Sequence, residues 1–141
     1  ALNERYLLAG QAMQSAQLVI TSPMTRAMQT TGLLGANPSA RVRVDALGTE
    51  RWSGKCDEGT PKSELLSRPS LPGLEQISSW EGWKDLPERW WPDQVEDQFQ
   101  RVEAFWAMAN KLTEERVVFV GHGAFWTSVL GRYLNNCEIV F

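Results

Sequence analysis

Arg116-Val117-Val118-Phe119-Val120-Gly121-His122-Gly123-Ala124-Phe125-Trp126 runs a block of apolar, mostly β-branched residues into Gly-His-Gly, after which an apolar helical pattern opens. This is the pattern of a buried strand, a tight turn and a helix start. The turn sets the only histidine of the chain at the carboxyl end of a strand, beside the free N–H groups of a helix N-terminus. Open α/β sheets gather anionic ligands at such places. A core or capping histidine bonded to backbone is the other reading of His122, and its position rather than its residue type carries the functional one.

Working outward, Val95, Phe99, Val102, Trp106 and Ala109 alternate spacings of four and three, which predicts a helix of about four turns with this stripe on the core. Asp97, Gln98, Gln100 and Glu103 are its expected wet side. Nearer the start, Asn3 is an expected N-cap for a helix that turns Tyr6, Leu7, Leu8 and Met13 inward, and Gln17–Ile20 reads as a short strand. Ser22-Pro23 is expected to cap and open a helix carrying Met24, Ala27, Met28, Thr31 and Leu34 inward. Arg41–Val44 alternates as a strand, a helix spans about Ala124 to Tyr133, and Cys137–Phe141 is expected as a final strand. Strands alternating with helices predict a three-layer α/β/α domain with a largely parallel sheet.

Residues from about 45 to 92 break the periodicity and are punctuated by Pro61, Pro72 and Pro87. Long excursions between core elements are usually lids or binding segments. Five of the seven tryptophans fall here, at Trp52, Trp80, Trp83, Trp90 and Trp91. Such side chains pack an insertion onto a sheet or present a surface to a protein partner; packing is the preferred reading. The chain is expected to be one domain with this cap-like excursion. It opens on Ala1 and directly on a helix start, so residues ahead of Ala1 are expected.

A formal charge of −3 supplies no basic field for a nucleic acid or an anionic membrane surface. No apolar run approaches the roughly 20 residues of a membrane span. Cys56 and Cys137 lack metal-ligand spacing and are too few for a disulfide framework, which makes a reducing compartment the default; the compartment is otherwise not readable.

Three polar residues stand where strand ends and loops converge. Arg26 offers a bidentate fork to a phosphoryl group, His122 can exchange a proton near neutrality, and Glu50 can act as a general acid. Around them the sequence resembles the histidine phosphatase superfamily, also called phosphoglycerate mutase-like. Thr21-Ser22-Pro23-Met24-Thr25-Arg26-Ala27-Met28-Gln29-Thr30 is similar to its Ser-Pro-x-x-Arg-Ala-x-x-Thr segment. Val118–Gly123 resembles its second histidine motif, and Leu47–Gly54 resembles the segment with the acidic proton donor. The Asn136-Cys137-Glu138 tail also resembles small phosphatases of this superfamily.

The resemblance implies a sheet with helices on both faces, Arg26 and Gly123 on the substrate phosphate, His122 bonded to the transferring phosphoryl group, and Glu50 protonating the leaving oxygen. Arg51, next to Glu50, is expected on the same pocket. No metal or other cofactor is expected, because arginines and histidines carry the electrostatic work. The substrate class implied is a small phosphorylated metabolite, and phosphatase is preferred to mutase because the middle segment has few basic residues beyond Arg51 and Lys55. Family members begin with a strand ending in Arg-His-Gly whose histidine is phosphorylated, and this strand is missing from the chain as numbered. The family's Leu-Thr-x-x-Gly pattern also departs here, to Leu2-Asn3-Glu4-Arg5-Tyr6. A non-catalytic phosphatase-like subunit, binding a protein through the tryptophan-rich segment, is the alternative. An α/β-hydrolase reading fails for want of a Gly-x-Ser-x-Gly elbow.

Overall fold

Three short runs of aliphatic and β-branched residues form the sheet in the computed structural model, which describes residues 2–68, 71–92, 98–135 and 138–140. The central strand is β1 (Leu18–Thr21), flanked by β2 (Arg41–Val44) and β3 (Val117–Val120), all parallel. β1 is buried throughout, as a parallel strand covered on both faces must be. The register sets Thr21 beside both Val44 and Val120. All three strands therefore end level, and Ser22, Asp45 and Gly121-His122 emerge at one edge. The ladder continues one step beyond the strands, with Ser22 N–H donating to the Val120 carbonyl and Asp45 N–H to that of Thr21, each at 2.9 Å.

The helices among the described residues are α1 (Leu2–Ser15), α2 (Thr25–Leu34), α3 (Lys62–Leu66), α4 (Gln98–Ala109) and α5 (Gly123–Leu130). Strand periodicity sorts them into layers. Val19, Val118 and Val120 meet Met13 of α1, Ala16 just after it, and Leu34 of α2. Phe119 points the other way, into Phe105 of α4 and Trp126 of α5. Phe105 is the hub of that second layer, edge-on to Phe119, Phe125 and Trp126 at centroid distances of 5.0, 5.8 and 5.2 Å. The fold is thus α/β with a parallel sheet between helical layers, as the sequence predicts.

The excursion after β2 builds a core of its own against the sheet edge. Leu65, Leu74, Ile77, Trp80, Trp83, Leu86 and Trp90 are buried with Met24, Met28 and Val44. Trp80, Trp83 and Trp90 thus point inward, in keeping with the packing reading preferred from the sequence. Glu81 also forms a parallel bridge with Arg43, its N–H donating to the Val42 carbonyl and its carbonyl accepting from Val44 N–H, both at 2.8 Å. The outer side of β2 is covered in this way. Among the described residues nothing pairs with the outer side of β3, which leaves a row of backbone donors and acceptors open.

Several local expectations are corrected. Asn3 lies inside α1, and Tyr6 and Leu7 are 63% and 66% exposed, so only the last turn of this helix, at Met13, packs on the sheet. On α4 the inward face is Gln98, Val102, Phe105 and Ala109, while Phe99 and Trp106 are largely exposed. The aromatic hub selects Phe105, which rotates the helix relative to the expected stripe. Gln98, expected on the wet side, is buried and its Oε1 accepts from Ser128 Oγ at 2.8 Å. Val95 and Asp97 lie outside the described residues, as do Asn136, Cys137 and Phe141. Glu138–Val140 form no strand; Glu138 instead accepts hydrogen bonds from Arg132 and from the backbone and side chain of Asn135.

One close approach locks the excursion to α2. A Cβ on Gly32 would stand 1.8 Å from the Gly73 carbonyl oxygen, so the backbones meet where no side chain fits. Alanine normally favours a helix interior over glycine by up to about 1 kcal/mol. Here Gly32→Ala is expected to lower stability by about 2–4 kcal/mol because the 73 backbone must move. Urea denaturation of both proteins checks this, and an unchanged or raised midpoint would contradict the packing.

Candidate active site

His122 follows β3 as the N-cap of α5, with extended backbone and no capping bond from its side chain. The ring is used elsewhere. Nδ1 accepts from Arg26 Nε at 3.3 Å, and Nε2 lies 2.9 Å from Ser22 Oγ. With Nδ1 accepting, the proton of the neutral ring sits on Nε2 and is donated to Ser22. The same hydroxyl accepts from Met24 N–H at 3.2 Å. Ser22 is therefore not the helix cap it was expected to be: α2 starts at Thr25, with Met24 as N-cap, and Ser22 makes a turn that aims its hydroxyl at the histidine.

Arg26 is in the first turn of α2, with its side chain 51% exposed and Nη2 3.9 Å from Asp57 Oδ1. Asp57 is buried at the end of a 3-10 turn (Lys55–Asp57), and its Oδ2 accepts from Ser53 N–H at 2.9 Å and Ser53 Oγ at 2.7 Å. Burial pushes this carboxyl up, but the Ser53 hydrogen bonds, the Cys56 thiol and the Arg26 charge together bring it below its ordinary value. His122 is 6% exposed. Burial above all, then the charges of Arg26 and Arg101, lower it to about 4, against a weaker opposing pull from Asp57. The imidazole is neutral at neutral pH.

Glu50 reaches the site from the loop after the 3-10 turn Ala46–Gly48. Its Oε1 accepts from Arg51 N–H at 2.8 Å and from Phe125 N–H at 3.1 Å. Phe125 is in the first turn of α5, so Glu50 satisfies from outside a helix-end donor that His122 does not cap. Its Oε2 takes no hydrogen bond among the described residues. The N–H groups of Gly123 and Ala124 at the same helix end are likewise unengaged among the described residues. Beside Arg26, a cavity of about 280 Å³ is lined by Thr25, Gln29, Glu58 and Thr60, whose two threonine hydroxyls are 3.3 Å apart.

The fold thus gathers Arg26, Glu50, His122 and Gly123 at one sheet edge. Arg51 contributes its backbone N–H to Glu50, and its guanidinium is exposed and makes no hydrogen bond or ion pair among the described residues. Ser22, Asp57 and Arg101 are additions that sequence reasoning missed. A serine directly after a buried apolar strand was a usable signal for the first. Arg101 stands four positions before Phe105 and becomes readable as inward-facing once Phe105, not Trp106, is known to be the core residue. Asp57, in an irregular turn, carries no sequence signal.

The neutral, buried histidine has a consequence for stability. Between pH 6.5, where a free histidine titrates, and about 4, the unfolded chain binds a proton that the folded chain refuses. Stability from this group is complete above pH 6.5 and falls as pH drops to 4, by roughly 3 kcal/mol over the window. Urea denaturation at pH 7, 5.5 and 4 is expected to show a steeper loss for the wild type than for His122→Asn. Parallel pH dependences would mean that the imidazole is protonated in the folded chain.

The family model for the histidine phosphatase superfamily (branch 1) matches residues 4–139. No curated protein and no solved structure matches the chain significantly. The match spans nearly the whole sequence and takes in the three strands and the loops that carry Arg26, Glu50 and His122, and the chain belongs to branch 1 of the histidine phosphatase superfamily.

Proposed function

We propose that this edge of the sheet binds the phosphoryl group of a small phosphorylated metabolite, and that it serves a phosphomonoester hydrolase working through a phosphohistidine. The observation that carries this reading is the Arg26 guanidinium bonded to the buried His122 ring beside the unengaged N–H groups of Gly123 and Ala124. A guanidinium fork and the open N–H groups of a helix N-terminus are donors that suit a tetrahedral dianion. Ser22 orients the ring and Asp57 restrains Arg26 from its other side. The 280 Å³ cavity next to Arg26 suits a small leaving group, and its Glu58 disfavours a second phosphate there.

The chain contains one histidine, and His122 holds the phosphoryl group rather than accepting it. The accepting imidazole comes from outside these residues, and the open edge of β3, whose strand leads straight into His122, is the position for a strand that brings it. The imidazole nitrogen forms a P–N bond as the P–O bond to the alcohol breaks, and the Glu50 carboxyl gives its proton to the departing oxygen. Water then attacks phosphorus, the Glu50 carboxylate takes the proton, and the P–N bond breaks to release phosphate. With Oε1 anchored on Phe125 N–H, the free Oε2 is the oxygen that exchanges the proton. The alternative of a protein-binding subunit has less support, because Trp80, Trp83 and Trp90 are committed to the core.

Calorimetric titration of the 141-residue chain with inorganic phosphate tests the binding half. Arg26→Ala is expected to weaken binding by about 10- to 100-fold, the worth of a charge-assisted hydrogen bond; equal affinities would sink the reading. In protein that also carries the accepting histidine, Glu50→Gln is expected to slow hydrolysis of an alkyl phosphate by about 10²-fold. It should slow p-nitrophenyl phosphate far less, because that leaving group departs without a proton. Equal losses on both substrates would remove Glu50 from the role of acid.

A further inference from the structure

Arg101 is the charged side chain on the inward face of α4, and it reaches across to the loop that carries Glu50. Its Nη1 donates to the Thr49 carbonyl and lies 3.4 Å from that of Leu47, and its Nη2 lies 3.4 Å from the Glu50 carbonyl. Its guanidinium carbon stands 5.0 Å from the centroid of the Phe125 ring. Phe125 is the residue whose N–H holds Glu50 Oε1 at 3.1 Å. One side chain therefore grips both partners of that bond, the Glu50 loop through its carbonyls and the α5 end through an aromatic face.

The residue type suits the task. A guanidinium is planar, presents several donors in a fixed fork and stacks on rings, whereas a lysine ammonium is a compact point charge on a flexible stem. Among the described residues, the loop's other hydrogen bonds to its backbone are local, beside the buried Thr49 side chain, whose hydroxyl donates to the Ala46 carbonyl at 2.6 Å. Leu47 N–H donates to Asp45 Oδ1 at 2.9 Å and Thr49 N–H to the Ala46 carbonyl at 3.1 Å; both bonds are internal to the turn and do not tie it to α5.

We propose that Arg101 is a positioning residue that locks the Glu50 carboxyl against the N-terminus of α5, so that the aim of the proton donor is set from α4 and not by its own loop. This rests on the reading of Glu50 as the proton carrier. Arg101 also adds its charge to that of Arg26 in keeping His122 neutral, so it acts on the site in two separable ways: by its fork on Glu50 and by its charge on His122.

Arg101→Met removes both effects and Arg101→Lys removes only the fork. The readouts are the Phe125 amide proton shift followed by NMR across the Glu50 titration, with Glu50→Gln as the control that abolishes it, and the His122 ring titration. In the wild-type chain the Phe125 amide is expected to follow Glu50. In both Arg101 variants the amplitude should fall by more than half, while the histidine titration moves upward in Arg101→Met and stays near the wild-type position in Arg101→Lys. A role in packing alone would not split the two readouts in this way. If Arg101→Met does not fold, Arg101→Lys carries the test on the amide signal.

A Phe125 amide that keeps its full titration in a folded Arg101 variant overturns the proposal, and so does a wild-type amide insensitive to Glu50. In protein that also carries the accepting histidine, Arg101→Lys is expected to lower kcat for an alkyl phosphate by about tenfold with little change in KM, as misplacement of a catalytic group does. Loss of the amide coupling in the Arg101 variants, together with a wild-type protein that hydrolyses no phosphomonoester, would leave Arg101's positioning role standing and remove the phosphatase reading instead.

Discussion

The level ending of three parallel strands is the constraint on which the site depends. Because Thr21 pairs with Val44 on one side and Val120 on the other, the loops after all three strands open at the same height. Arg26 follows the first loop, Glu50 the second, and His122 is the third. A slip of one residue in any strand would turn its side chains to the opposite face. It would also carry His122 about 3.3 Å along the strand direction, beyond reach of the Arg26 guanidinium. Period-two burial on both faces resists such a slip, since Val118 and Val120 are committed to one helical layer and Phe119 to the other.

On that base, the electrostatics of the site follow from burial more than from pairing. His122 is closed off from water, has a cation on one ring nitrogen and a hydroxyl on the other, and consequently stays neutral with its proton directed at Ser22. An arrangement of two fixed cations near a neutral ring is short of negative charge, and Asp57 offsets it only in part at 3.9 Å from Arg26. A dianion arriving at this edge would complete the balance and stabilise the protonated ring. The cations themselves add to burial in keeping the ring uncharged.

The excursion of residues 45–92 is where fold and site are joined. It caps the outer side of β2 through Glu81, fills a core with Trp80, Trp83 and Trp90, and meets α2 backbone to backbone at Gly32 and Gly73. It also delivers Glu50, held on the N–H of Phe125, and Asp57, beside Arg26. Rigid packing at its far end and hydrogen bonds from Arg101 at its near end turn an irregular segment into a defined wall of the site. Trp80, Trp83 and Trp90, conspicuous in the sequence, serve this packing.

The amino-acid sequence by itself determined the three strands of the sheet, the strand–turn–helix at Gly121-His122-Gly123 and the chain order of Arg26, Glu50 and His122, because these rest on local periodicity and on residues within a few positions of one another. β2 was legible to its exact bounds, and β1 and β3 to within a residue at each end. The inward face of α4 and the solvent exposure of Tyr6 and Leu7 were not legible, since an aromatic residue reads the same whether its neighbour in space is a core or water. Only the tertiary structure decided that Phe105 and not Trp106 is the hub, that Ser22 serves the histidine and not a helix, and that Arg101 holds the Glu50 loop. Each of these depends on a contact between distant segments, such as Arg26 with His122 ninety-six positions apart, and the sheet register that makes such contacts belongs to the assembled chain and to no stretch of it.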